Sequence, residues 1–180
     1  MRAGLHGARR ALSVVQTLYL ANVTVHVLAA LLWLGGMFFL GVVGAPALRR
    51  IEPPAVRQRL FQELGRRFRS VGWVAISILI VTGVLNLYFR GWLHWSGMLG
   101  SAVFWSTALG RALAAKLVAV LTMVAVSATH DFVLGPAAGR AAPGSHHAVT
   151  LRRRAALLAR VNAFVGVIVV IAAVRLARGG

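Results

Sequence analysis

The sequence predicts an all-α membrane protein that crosses the bilayer four times as a helical bundle. Of its 180 residues, 59% are hydrophobic and only 13% are charged, and the mean hydropathy is +0.78. A soluble domain of this length needs more charge to cover its surface. The apolar residues form long blocks instead of amphipathic stripes, as in spans surrounded by lipid. Residues 1–180 are therefore predicted to form one membrane domain.

Four apolar blocks approach or exceed the ~20 residues needed to cross ~30 Å of hydrocarbon. Only helices and closed barrels satisfy backbone groups in lipid, and these blocks lack the alternation of barrel strands. The predicted spans are about residues 17–44, 71–89, 112–134 and 155–174. The first is interpreted as a retained span, because its apolar stretch exceeds the ~7–15-residue core of a signal peptide. No convincing internal repeat is evident.

The connection between the first two spans predicts a basic amphipathic helix. It starts after Pro53–Pro54, a favourable helix start. Its apolar residues recur at every fourth position, with arginines between them: Val56, Leu60, Leu64 and Phe68. We predict an amphipathic interfacial helix that lies on the membrane and turns into the second span. The other arrangement that fits the pattern is a helical extension of the second span with a solvated basic face.

Positive charge dominates the chain, with 20 Lys and Arg against 3 Asp and Glu, a formal net charge of +17. The arginines flank the apolar blocks without interleaved stacking aromatics, so we expect contact with anionic lipid headgroups and no nucleic-acid binding. Eleven arginines lie in connections one and three and seven on the opposite face. The positive-inside rule therefore predicts that both termini are extracytoplasmic. The absence of cysteine excludes disulfides and thiolate metal sites.

The second connection, residues 90–111, contains several glycines and three tryptophans, Trp92, Trp95 and Trp105. Tryptophan is enriched where the hydrocarbon meets the headgroups. The pattern predicts an interfacial aromatic segment between spans two and three.

Ionisable groups at membrane depth are costly, and by default they mark function. At ~1.5 Å per residue, His26 and Lys116 lie ~6 and ~10 Å from the midplane in the same outer half, which allows them to share a cavity. His26 is a candidate metal or haem ligand, since neutral imidazole suits both, and otherwise a hydrogen-bonded structural histidine. Lys116 is either a cavity charge that contacts an anion or a side chain that snorkels to the interface. His130 lies ~10 Å into the other half, so His26 and His130 are not expected to bind one ion.

Two polar residues stand near the end of span three, where Gly135–Pro136 predicts that the helix stops. The side chains of consecutive helical residues point ~100° apart, so His130 and Asp131 need not interact with each other. Asp131 is expected to form a structural ion pair with Arg160 or Arg69. His130 would then remain a second candidate ligand for a metal or haem.

Methionine, glycine and asparagine supply weaker signals. Met37 and Met123 are possible soft ligands for Cu(I), although core packing also explains them. The glycines of "WLGG" (33–36) suit the close approach of another helix or of a flat ligand. Three asparagines are expected to hydrogen-bond between helices: Asn22, Asn86 and Asn162.

Three stretches resemble the membrane domain of the copper-resistance protein D (CopD) family: "HVLAALLWLGGMFF" (26–39), "RFRSVGWVAISILIVTGVLNL" (67–87) and "KLVAVLTMVAVSATHDFVLGP" (116–136). They share a histidine followed by Trp-x-Gly-Gly, an Arg-Phe-Arg entry into a helix that ends Thr-Gly-x-x-Asn, and a third helix with lysine and histidine. The resemblance implies copper homeostasis in a bacterial cytoplasmic membrane, with copper bound or passed through intramembrane histidines. The chain departs from the full-length family pattern in having four spans and no Met-rich or Cys-rich segment.

A second family, the HemJ-type protoporphyrinogen oxidases, is similar in placing an early histidine and a later lysine around haem b. His26 and Lys116 match that pattern, which would make His26 an axial ligand and place Lys116 near a porphyrin carboxylate. Three functions therefore stay open: a copper-handling membrane protein, a haem b redox protein, and a non-catalytic accessory subunit. The first two imply a metal-delivery or membrane redox partner.

Overall fold

The computed structural model describes the backbone of residues 2–93, 98–141 and 145–178 and the side chains of 12–93, 98–141, 145–147 and 149–178. It is 92% helical, and the described residues contain no strand. Four helices are long and apolar enough to cross a membrane: Leu12–Arg49, Pro54–Phe89, Ala108–Arg140 and Val149–Ala177. The predicted all-α, four-span fold class is confirmed.

In chain order, the described α-helices are α1 (Arg2–Phe39), α2 (Ala45–Arg49), α3 (Pro54–Phe89), α4 (Ala102–Ser106), α5 (Ala108–Ala128), α6 (Gly135–Arg140) and α7 (His146–Ala177). Two π-helices, Leu40–Gly44 and Thr129–Leu134, join α1 to α2 and α5 to α6. A 3₁₀ turn, Met98–Gly100, precedes α4.

The basic amphipathic segment is the first part of α3. Helix α3 begins at Pro54, as predicted, and runs without interruption to Phe89. Its 36 residues span about 54 Å at ~1.5 Å per residue, well beyond ~30 Å of hydrocarbon. Of the two arrangements that the sequence allowed, the structure therefore has the extension of the second span.

The prediction that Gly135–Pro136 stops the third span is wrong. The backbone passes through both residues with helical angles and continues as α6. Proline lacks an N–H and clashes with the carbonyl four residues earlier, which a wider π-turn accommodates. Accordingly, the N–H of Gly135 donates to the carbonyl of His130, five residues back. The first span repeats this device, with the N–H of Ala45 bonded to the carbonyl of Leu40 just before Pro46.

The bundle core lies where α1, α3 and α5 meet, with α7 packed against it. Helix α1 packs most extensively on α3, and α5 packs most extensively on α7. The buried residues of this core cluster are Trp33, Ala75, Ile76 and Met123. Partly buried Met37 and Phe68 pack around it, together with valines of α7.

A second cluster closes one end of the bundle, which we call the tryptophan end: Trp92, Phe104, Leu113 and Leu176. The rings of Trp92 and Phe104 meet edge to face with their centroids 5.6 Å apart. Trp105 is more exposed, and its Nε1 donates to the carbonyl of Leu99 at 3.0 Å. Trp95, the third predicted interfacial tryptophan, lies outside the described residues. The opposite end, formed by residues 40–70, 129–141 and 145–154, carries most of the arginines, and we call it the arginine end.

The pair of α1 and α3 resembles the pair of α5 and α7, and equivalent positions in the two pairs are 90 residues apart. The sequence itself shows no convincing repeat. In each pair, a π-helix and then a proline, Pro46 or Pro136, follow the long α-helix of the first member. Equivalent positions are buried in both pairs: Ala29 with Ala119, Trp33 with Met123, Ile76 with Gly166, and Thr82 with Ala172. The bundle thus consists of two similar helical hairpins whose polar residues differ, and His26 occupies the position equivalent to Lys116.

Candidate functional site

A polar layer crosses α1 and α3 in the half of the bundle nearer the tryptophan end. Asn22 and His26 stand one turn apart on α1, opposite Thr82 and Asn86, one turn apart on α3. The side-chain Nδ2 of Asn22 donates to the carbonyl of Thr82 at 3.0 Å and to Oδ1 of Asn86 at 2.9 Å. This confirms the prediction that Asn22 and Asn86 hydrogen-bond between helices.

His26 is oriented by a hydroxyl from the neighbouring helix. Its Nδ1 lies 2.7 Å from Oγ1 of Thr82. The Thr82 hydroxyl also lies 2.6 Å from the carbonyl of Ile78, and with its hydrogen on that carbonyl it accepts from the Nδ1–H of His26. The neutral imidazole then carries its lone pair on Nε2, the atom free to bind a metal. Next to the ring stands Gly83, where an added Cβ would lie 3.6 Å from Cε1 of His26.

Lys116 reaches the same layer from α5. Its ammonium lies close enough to His26 for an electrostatic interaction, and close enough to Arg90 for another. The Arg90 guanidinium in turn lies 5.3 Å from the ring centroid of Trp92. His26 and Lys116 thus lie in the same half of the bundle, the arrangement that their estimated depths allow.

Soft and polar side chains also meet in the middle of the bundle. Asn162 of α7 is 4% exposed, and its Nδ2 donates to Ser127 Oγ at 2.9 Å and contacts Met37 Sδ at 3.5 Å. This confirms the prediction that Asn162 hydrogen-bonds between helices. Its Oδ1 is buried without a hydrogen-bond partner. Met123 is 2% exposed and belongs to the core cluster against which Met37 packs.

His130 and Asp131 lie on the second π-helix, and they contact each other. Nδ1 of His130 is 2.9 Å from Oδ1 of Asp131. The other carboxylate oxygen, Oδ2, accepts from Trp73 Nε1 at 3.0 Å. The expectation that these two side chains need not interact assumed α-helical geometry. In a π-turn the angle between consecutive side chains around the helix axis is smaller.

The predicted ion pair of Asp131 with Arg160 or Arg69 is wrong, since the described side chains form neither pair. Both oxygens of Asp131 are already occupied by His130 and Trp73. Arg160 is exposed on α7. The guanidinium of Arg69 instead lies beside Gly135, where an added Cβ would be 3.2 Å from its NH2 atom. Sequence reasoning missed Trp73 and Thr82, because helical spacing gives no signal for partners on another helix.

Among the described residues, no three histidine, cysteine, aspartate or glutamate side chains come together as a metal site. His26 and His130 have separate partners, on Thr82 and on Asp131. The candidate ligands His26, Met37, Met123 and His130 are therefore distributed along the bundle and do not form one cluster.

A family model described as copper resistance protein D matches residues 62–176. The chain belongs to the copper resistance protein D family. It is thus a multi-pass membrane protein of a copper-resistance family. The match covers α3 from residue 62 onward, α5, and α7 to residue 176, including Trp73, Lys116, Met123 and His130.

A further relative of this CopD-family chain is an uncharacterized protein of Aquifex aeolicus (strain VF5), 44% identical over 64 residues. The alignment covers 35% of this chain and 43% of that relative, so the chain spans less than half of the relative's length. No solved structure matches. The comparisons do not show the similarity to HemJ-type haem proteins that His26 and Lys116 suggested.

Proposed function

We propose that the protein binds copper as Cu(I) inside its bundle and passes it between the two ends. The observation that carries the proposal is the row of donors on α1, α5 and the second π-helix, with an imidazole toward each end and thioethers between them. Both imidazoles have an acceptor on Nδ1, which leaves Nε2 for a metal. Neutral imidazole and thioether donors suit Cu(I).

The spacing of these donors suits passage in steps. At ~1.5 Å per residue, Met37 lies about 16 Å beyond His26 along α1, and His130 lies about 10 Å beyond Met123 along α5. Met37 and Met123 share one core cluster, so a copper ion that leaves His26 meets thioethers near mid-bundle before it reaches His130. A protein that delivers or accepts copper would complete the route at each end.

Copper binding by purified protein tests the proposal. The full chain is titrated in detergent against a chromophoric Cu(I) chelator, and bound copper is counted by elemental analysis. We expect His26→Ala and Met123→Leu to lose copper or bind it more weakly. Two control variants outside the row should bind like wild type: exposed Met98→Leu and exposed His147→Ala. Wild-type protein that takes no copper from the chelator would overturn the proposal.

A second candidate is haem b binding, favoured by the electrostatic influence of Lys116 on His26. A haem needs a flat cavity at its axial ligand. The groove of about 460 Å³ between α1 and α3 is lined by residues such as Val25, Ala29 and Val74, and His26 is not among them. This groove therefore does not supply a haem cavity at His26. A Soret band that disappears in His26→Ala would decide for haem.

A further inference from the structure

We propose that Asp131 and Trp73 are positioning residues that hold His130 as a copper ligand through its Nε2. This inference rests on the proposed copper function and deepens it at the arginine end of the bundle. It assigns a role to a carboxylate and an indole that the row of donors does not itself include.

The geometry leaves no free oxygen on Asp131. Its Oδ1 is 2.9 Å from His130 Nδ1, and its Oδ2 accepts from Trp73 Nε1 at 3.0 Å. The Asp131 side chain is 20% exposed and that of His130 is 39% exposed. The carboxylate is thus sheltered and held by two groups, whereas part of the imidazole remains accessible.

The carboxylate decides which nitrogen of His130 carries the hydrogen. An ionised carboxylate only accepts hydrogen bonds, and the indole N–H only donates. Oδ1 therefore requires a hydrogen on Nδ1 of His130, and the lone pair of the neutral ring is on Nε2. In metal sites a carboxylate behind a ligating imidazole fixes its tautomer and orientation and raises its basicity.

Trp73 secures the carboxylate from the neighbouring helix. Its ring packs against Phe132 with the centroids 5.3 Å apart, which places its N–H beside Asp131. His130 and Asp131 are consecutive residues of the second π-helix, and their side chains lie within hydrogen-bond distance of each other. Trp73 therefore acts on His130 through Asp131, without touching the metal itself.

Two measurements on the full chain in lipid nanodiscs test the proposal. The first is the ¹⁵N NMR spectrum of metal-free protein with labelled histidine, in which His130→Ala identifies the signals of this ring. We expect a hydrogen on Nδ1 of His130 in wild type and its loss or redistribution in Asp131→Asn. A wild-type ring protonated only on Nε2 would overturn the proposal.

The second measurement is Cu(I) affinity by competition with a chromophoric chelator. We expect Asp131→Asn to weaken binding by about 10–100-fold, the usual effect of losing such a partner. Trp73→Phe, which keeps a ring on Phe132, should weaken binding in the same direction by a smaller factor. The matched control is Trp92→Phe at the tryptophan end, which should leave affinity unchanged. The helical circular dichroism of each variant verifies that it folds.

The outcomes separate this inference from the copper function itself. If His130→Ala binds copper like wild type while His26→Ala does not, the inference is wrong and the copper function stands. If wild type binds no copper, the copper function fails, whereas the NMR spectrum still reports whether Asp131 sets the tautomer. Equal weakening in Trp73→Phe and Trp92→Phe would mean a general packing effect and would remove the positioning role of Trp73.

Discussion

The Nδ1 atom of His26 and the Oγ1 atom of Thr82 lie 2.7 Å apart, joining the first and second spans. Because the Thr82 hydroxyl gives its own hydrogen to Ile78, this contact has one direction, from the imidazole to the hydroxyl. Nearer the other end of the bundle, the Nδ1 of His130 likewise faces an acceptor, the carboxylate of Asp131. Both candidate ligands therefore present the same nitrogen, although one acceptor is neutral and the other is charged.

Thr82→Val should weaken Cu(I) binding at His26 by about 10-fold or more, as expected when a ligand loses the group that orients it. Valine keeps the branched shape but cannot accept from Nδ1, so the tautomer is no longer fixed. An unpaired buried donor also costs about 1–3 kcal/mol of stability. Chelator competition measures the affinity, and denaturant unfolding in mixed micelles measures the stability.

The matched control is Thr122→Val, because Thr122 is exposed and its hydroxyl bonds only to the carbonyl of Val118 within its own helix. This variant should change neither the Cu(I) affinity nor the stability of the protein. If Thr82→Val binds copper as tightly as wild type, Thr82 does not orient a ligand.

Asn22 and Asn86 should show a measurable coupling energy. Their side chains share a 2.9 Å hydrogen bond between α1 and α3. Hydrogen bonds between membrane helices contribute about 0.6 kcal/mol on average and up to about 1.7. A double-mutant cycle with Asn22→Ala and Asn86→Ala, followed by denaturant unfolding, should give a coupling in this range. Additive effects of the two substitutions would show that the bond contributes nothing.

Substitution of the two adjacent glycines of "WLGG" should have sharply different effects on the stability of the bundle. An added Cβ at Gly36 would overlap the ring of Phe68, whereas Gly35 has no atom within 4 Å of that position. Gly36→Ala should therefore destabilise the bundle by about 1–3 kcal/mol, the usual cost of overpacking. Gly35→Ala, with the same chemistry one residue away, should cost little. Equal unfolding midpoints for the two variants would contradict the helix contact.

Much of the fold could be predicted from the sequence, because span length and apolarity are local properties. The four spans, the start of α3 at Pro54 and the interhelical asparagines all follow from the chain alone. Shared depth for His26 and Lys116 followed from counting residues along helices. These inferences needed no knowledge of which helix faces which.

Two predictions that the structure contradicts, the helix stop and the ion pair of Asp131, both concern the end of the third span. Gly135–Pro136 was interpreted with α-helical rules, under which proline ends the helix, but a π-turn lets the helix continue. In the same π-helix, Asp131 pairs with His130, and it does not form the predicted pair with Arg69 or Arg160. The pattern Gly135–Pro136 does not distinguish a helix stop from a π-turn, since proline follows the turn in both cases.

The orientation of the bundle is the last prediction, and the chain is well suited to test it because it contains no cysteine. By the positive-inside rule the arginine end faces the cytoplasm and both termini face outward. Single cysteines are introduced as Ala141→Cys near the arginine end and Arg178→Cys at the end of α7. In intact cells a membrane-impermeant maleimide should label only Arg178→Cys, and it should label Ala141→Cys after permeabilisation. The reverse pattern would invert the bundle, and His130, rather than His26, would then lie in the outer half of the membrane.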